Sequence, residues 1–179
     1  NAVETDVESY LQRRKGMDNR WTPLRALALG RMLGWLAEGV KEDPPGSNWG
    51  PTVRNILARA GIHVPAPWCA ATVYAAVDDV TRWHGLPNPL TSIVRKALVA
   101  DYYQVAQEMG WIIDPHHVDY GDLVIFDFPN NDRRWDHIGF VETPPGEGMS
   151  FRSIEGNTGD RLMTRERFIV PGRVVFARW

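Results

Sequence analysis

A single cysteine, Cys69, occurs in 179 residues, which excludes an internal disulfide framework and any zinc site built mainly on thiolates. Charge excess is missing too. Twenty basic residues stand against 22 acidic ones, a net charge of −2, without the basic excess or stripe of a dedicated nucleic-acid binder. No apolar run is long enough to cross a bilayer: the most apolar stretch, residues 24–36, is interrupted by Arg25 and Arg31. The opening residues Asn1-Ala2-Val3-Glu4-Thr5-Asp6 lack an initiator methionine and the charged-then-apolar layout of a secretory leader. Asn1-Ala2 reads as the scar of a removed tag, which leaves open a leader or partner domain in the parent protein.

What remains is ordinary globular composition, 44% hydrophobic and 23% charged. The length suits one domain. Residues 1–20 read as an N-terminal extension with a short polar helix over 7–14, and residues 21–179 as the domain. The pattern predicts a helix over 22–40, with Thr22 as N-cap and Pro23 in the first helical position. Leu24, Leu27, Ala28, Met32, Trp35 and Leu36 form its apolar stripe. A second helix is expected over 51–60 with Gly61 as its stop signal, and a third from near Trp68, after the stiff run Val64-Pro65-Ala66-Pro67. Residues 92–109 are amphipathic and read as helix. From Gly110 the grammar changes to short β-prone runs at 123–126, 138–141, 151–154 and 173–176, separated by turn residues. Helices first and strands second predict an α+β domain, with helices packed on one side of an antiparallel sheet.

A lone cysteine is ordinarily a small buried hydrophobe. The neighbours of this one point elsewhere. In Pro67-Trp68-Cys69-Ala70-Ala71 it stands where a helix starts, among unpaired backbone N–H groups at the positive end of the helix dipole. Both favour a thiolate, and the same N–H groups can donate to an oxyanion. Such a nucleophile needs a general base, and the base needs an orienting acceptor. His63 and His84 sit on loops without a nearby carboxylate pattern, and His116-His117 lie in a turn, whereas His137 opens a strand. If that strand folds back about Gly146, His137 falls directly opposite Glu155, with Cβ atoms ~5 Å apart. Asn157 then lies two residues on, on the same face, as an auxiliary amide. A bulge would shift this register. Asp136 competes for the histidine, but adjacent strand residues point to opposite faces. Asp114, His116, His117 and Asp119 match no metal-site spacing and read as a solvated loop; Arg161, Arg165 and Arg167 read as a surface face.

Four blocks in order then carry a resemblance: Pro67-Trp68-Cys69-Ala70-Ala71, Gly121-Asp122-Leu123-Val124-Ile125-Phe126, His137-Ile138-Gly139-Phe140-Val141 and Ile154-Glu155-Gly156-Asn157-Thr158. Together, over residues 24–179, they resemble the CHAP family of cysteine, histidine-dependent amidohydrolases/peptidases, relatives of the NlpC/P60 group. Gly39-Val40-Lys41-Glu42 with Gly46-Ser47-Asn48 resembles the segment that precedes the cysteine in a bacterial and phage branch of that family. The resemblance implies a papain-like α+β fold, a helical N-terminal half packed on a small antiparallel sheet. It casts Cys69 as nucleophile, His137 as base, Glu155 as third member and Asn157 as a fourth polar residue. Trp68 and Trp135 flank the catalytic candidates and, with Asn48, are assigned to substrate binding, structural packing being equally open for the two tryptophans.

The implied activity is hydrolysis of an amide in bacterial peptidoglycan, as an N-acetylmuramoyl-L-alanine amidase or as a stem or cross-bridge endopeptidase. A phage lysin, released from the host cytoplasm onto the cell wall, is the favoured setting; a secreted autolysin or toxin is the other. No cofactor and no metal are expected, because Glu42-Asp43 is followed by two prolines and lacks the alternating acidic spacing of calcium loops. The expected partner is peptidoglycan, met by a monomer without nucleic acid or membrane insertion. Two alternatives stay open: a papain-like protease or acyltransferase acting on a non-wall substrate, and a catalytically silent wall-binding module.

Overall fold

The computed structural model describes residues 22–129, 134–146 and 148–179. The extension 1–20, its expected helix over 7–14 and the Thr22 side chain lie outside the described residues. Four α-helices and a six-stranded antiparallel sheet are found among them, a mixed α+β architecture.

Helix α1, Thr22–Ala37, buries Leu24, Ala28, Met32 and Trp35, a stripe with helical period. It stops three residues earlier than the pattern suggests, because Gly39 takes φ 72° and a left-handed cap closes with Val40 N–H donating to Trp35 O at 3.1 Å. Helix α2, Pro51–Arg59, ends the same way at Gly61, with Ile62 N–H on Leu57 O at 2.9 Å. Helix α3, Cys69–His84, is buried continuously from Cys69 to Thr81 and packs against α1, α2 and the sheet. Helix α4, Val99–Glu108, is only the second half of the helix expected over 92–109. A short 3-10 turn, Pro89–Ser92, precedes it, with Asn88 accepting from Leu90 N–H. The N–H and guanidinium of Arg95 are taken by Asp101 in the first turn of α4, so the intervening chain satisfies its polar groups without helix.

The strands are β1 (Ile112–Ile113), β2 (Leu123–Phe126), β3 (His137–Thr143), β4 (Ser150–Glu155), β5 (Met163–Phe168) and β6 (Val174–Ala177), in the order β1-β6-β2-β3-β4-β5. Alternation divides the sheet into two apolar faces. Leu123, Ile125, Ile138, Phe140 and Ile154 join the helical core. Val124, Phe126, Val141, Phe151 and Phe176 form a second cluster on the other face. Asp122 is fully buried and ties the layers together: its carboxylate meets Arg25 of α1 at 3.3 Å and Arg178 near the C-terminus at 2.7 Å.

Two close approaches between helices and sheet require glycine. A Cβ on Gly121, at φ 77°, would lie 2.6 Å from Arg25 O. A Cβ on Gly156 would strike the Thr72 hydroxyl and lie 3.1 Å from a Trp68 ring carbon, so this glycine sets how closely the end of β4 docks on the first turn of α3. Gly34, inside α1, has nothing within 4 Å of its would-be Cβ. Gly156→Ala is therefore expected to destabilise by about 1–3 kcal/mol, the usual cost of overpacking. Gly34→Ala should stabilise by about 0.5–1 kcal/mol. Urea denaturation of both variants checks this; equal effects would contradict the close docking.

Candidate active site

The cysteine side of the site is built from a helix start and the loop beneath it. Trp68 is the N-cap of α3 and supplies no side-chain cap. The first intrahelical bond is Thr72 N–H to Trp68 O at 2.9 Å, so the N–H groups of Cys69, Ala70 and Ala71 precede the helical ladder. The Trp68 indole donates to Glu42 Oε1 at 2.9 Å, and Glu42 Oε2 accepts from Asn48 N–H at 2.8 Å. Glu42 is only 2% exposed. The Asn157 amide satisfies both its ends when Nδ2 donates to Glu42 Oε1 at 3.0 Å and its oxygen accepts from Trp68 N–H at 3.2 Å. The loop around Glu42 is itself held to the β4–β5 connection, through Glu42 N–H on Asp160 O at 2.8 Å and Leu162 N–H on Val40 O at 3.0 Å. Glu42 and Asn157 thus fix the residue immediately before the thiol.

The histidine side is built on the sheet. His137 opens β3 and Glu155 closes β4, with Nε2 and Oε2 2.8 Å apart. Their register differs from the expected one. Phe140 faces Ile154 and Val141 faces Ser153, with a shift between Val141 and Thr143, so Glu155 lies across from Gly139, not from His137. A slip of two residues preserves the face, and the pair is made diagonally. Gly139 makes room for it, since a Cβ there would lie 2.9 Å from Glu155 Cγ and against Ile154 O.

Glu155 is fully buried. Besides His137 it accepts from the Ser153 hydroxyl at 2.5 Å and from Arg167, Nε at 2.8 Å and Nη2 at 2.6 Å. Burial alone would raise its carboxyl, but the hydrogen bonds from Arg167, then His137, together with the latter's charge, bring it down to about 2. Burial would lower the His137 ring, but a hydrogen bond with Cys69, another with Glu155 and the charges of both carry it up to about 9. With Nε2 taken by Glu155, Nδ1 is left for the thiol. The carboxylate holds the imidazole by a hydrogen bond, and Cys69 at the helix start is near enough to raise the ring's basicity, a grouping that can move a proton off sulfur and deliver it elsewhere.

The other expected residues fall differently. Trp68 is fully buried and so does not line a groove; its role is the bond to Glu42. Trp135, 8% exposed, stacks on Tyr103 of α4 with centroids 4.1 Å apart, which places it in the packing and not on a binding surface. Asn48 is half-buried beside Asn157. Asn157 lies beyond β4 at φ 56°, and its hydrogen bonds go to the cysteine loop, not to the His137 ring. Asp136 turns away from that face and accepts from Phe128 N–H. Asp114 accepts from His116 N–H within its own turn, and among the described residues no three His, Cys, Asp or Glu side chains gather to hold a metal. Arg167 corrects the surface-face expectation outright. Arg167 carries no local sequence signal, and the segment holding Glu42 gave no sign of its buried bonds, whereas Ser153 could have been found as the residue two before Glu155 on the same strand face.

No protein-family model, curated protein or solved structure matches the chain.

The two shifts have opposite pH consequences. Glu155, depressed from 4.5, adds stability above that value which is lost as pH falls through about 2. His137, raised from 6.5, adds stability below that value which is lost as pH rises through about 9. The ring proton of His137 followed by NMR should titrate near 9; titration at or below 6.5 would contradict the pairing.

Proposed function

We propose that the chain is a cysteine-dependent amidohydrolase or peptidase with a papain-like, CHAP-type arrangement. Its substrate in this reading is bacterial peptidoglycan, with the phage-lysin setting favoured. The observation that carries the class is the grouping of Cys69 at a helix start with His137 and the buried Glu155 that holds it. The substrate rests on the four ordered blocks that resemble CHAP enzymes.

In this reading Cys69 gives its proton to His137 Nδ1 while Nε2–H stays on Glu155. Sulfur attacks the scissile carbonyl, and the N–H of Cys69, ahead of the helical ladder, donates to the developing oxyanion. Collapse of the tetrahedral adduct breaks the C–N bond as His137 protonates the leaving amine, leaving a thioester. Water, deprotonated by His137, attacks the thioester; sulfur leaves and the acid product departs. Glu155 stays ionised throughout and stabilises the imidazolium, as the acid of a serine-protease triad does. The bond cut is the lactyl–L-alanine amide or a peptide bond of the stem or cross-bridge.

Digestion of purified peptidoglycan followed by mass spectrometry of the fragments tests this reading and names the bond. Release of new amine ends by the native chain is expected, unaffected by EDTA because thiolate, imidazole and backbone donors suffice. Cys69→Ala and Cys69→Ser should abolish it with unchanged circular dichroism. Wall hydrolysis by either variant at near-native rate would remove the nucleophile. An intact wall alongside cleavage of a protein substrate would move the chain to the non-wall protease class.

A further inference from the structure

The geometry points to Arg167 as a positioning residue of the site: its guanidinium grips both oxygens of Glu155 and so fixes the carboxylate edge that faces His137. The proposal rests on the hydrolase reading above and adds a fourth member to its array.

Three observations carry it. The grip is bidentate, Nε on Oε1 at 2.8 Å and Nη2 on Oε2 at 2.6 Å, the fork geometry that arginine alone provides. The guanidinium is itself clamped, 5.2 Å from the ring centroids of both Phe126 and Phe128, and those rings also lie 5.9 and 5.7 Å from the His137 ring. Finally, Arg167 does not stand opposite Glu155: on the adjacent strand β5 it pairs with Phe151, while Met163 pairs with Glu155, and it reaches along the sheet face to the carboxylate. Without Arg167 the carboxylate keeps Ser153 and His137 but loses the cation that holds it charged and the two bonds that stop it rotating. The charged or titratable groups facing this line are Cys69 from α3, Tyr102 from α4, His137 from β3, Glu155 from β4 and Arg167 from β5.

The test compares Arg167→Met, Arg167→Lys, Glu155→Gln and the double variant Glu155→Gln/Arg167→Met. Two readouts are taken across pH: Michaelis parameters on solubilised peptidoglycan, and the rate at which iodoacetamide alkylates Cys69. Arg167→Met should lower kcat roughly tenfold, part of the ~10²–10⁴-fold that a positioned acid–base group contributes, with KM unchanged. Its acid limb should move up in both readouts, by about 1–3 pH units, the effect of an adjacent cation on a carboxylate. Arg167→Lys keeps a charge without the fork, so it should hold the acid limb and still turn over slowly. The double variant should be no slower than Glu155→Gln, because Arg167 acts only through Glu155.

Native turnover and an unmoved acid limb in Arg167→Met would overturn the proposal, as would losses that multiply in the double variant. If Arg167→Met does not fold, Arg167→Lys decides: slow turnover at native KM supports the proposal, and native turnover overturns it. Alkylation needs no wall, so a shifted alkylation limb with no wall hydrolysis would sink the substrate reading and leave Arg167 standing.

Discussion

An ionised carboxylate with no exposure to water is the constraint on which the rest of the site depends. Taking such a group out of water costs several kcal/mol unless partners replace its hydration, and Glu155 accepts four hydrogen bonds, from His137, Ser153 and twice from Arg167. These partners belong to three adjacent strands, β3, β4 and β5. A one-residue slip of any of them would turn its contribution to the opposite face. The same charge that makes the interior costly makes the imidazole basic, and it occupies Nε2 so that the other ring nitrogen is free for sulfur.

The three residues from Glu155 to Asn157 join the sheet to the helix that opens at Cys69, each by a different means. Glu155 takes the histidine. Gly156 brings the end of β4 against Thr72 and Trp68. Asn157 turns in a left-handed conformation toward Trp68 N–H and Glu42. Asparagine tolerates that conformation better than most residues, so this position suits both backbone and amide. The two halves of the site are therefore set by one short segment, and the spacing between thiol and imidazole is fixed by packing.

Much of this was legible from period and punctuation. The runs that became β2, β3, β4 and β6 alternate or are apolar throughout, and Gly61 marked the end of α2. The edge strands were not: β1 is two residues long, and Thr164-Arg165-Glu166-Arg167 in β5 is polar on both faces, so neither shows a period-2 contrast. The pairing of His137 with Glu155 was found through a register two residues off, and it survived because the side-chain period is two. What stayed hidden was tertiary. Arg167 stands 12 positions from Glu155, and Glu42 stands 26 from Trp68, and no local pattern separates a buried clamp from a solvated surface. Trp68 and Trp135 show the converse, since proximity to catalytic candidates in sequence said nothing about exposure.

Burial alone does not separate an activated nucleophile from an inert core thiol, because Cys69 is 5% exposed under either description. Reactivity does. The most direct measurement is intact-mass analysis of the native chain after brief exposure to iodoacetamide near neutral pH, beside His137→Ala. The account predicts a single adduct on Cys69 without denaturant, with labelling slowed about tenfold or more once the imidazole is removed. Labelling that requires denaturant, or that proceeds equally fast in His137→Ala, would contradict it.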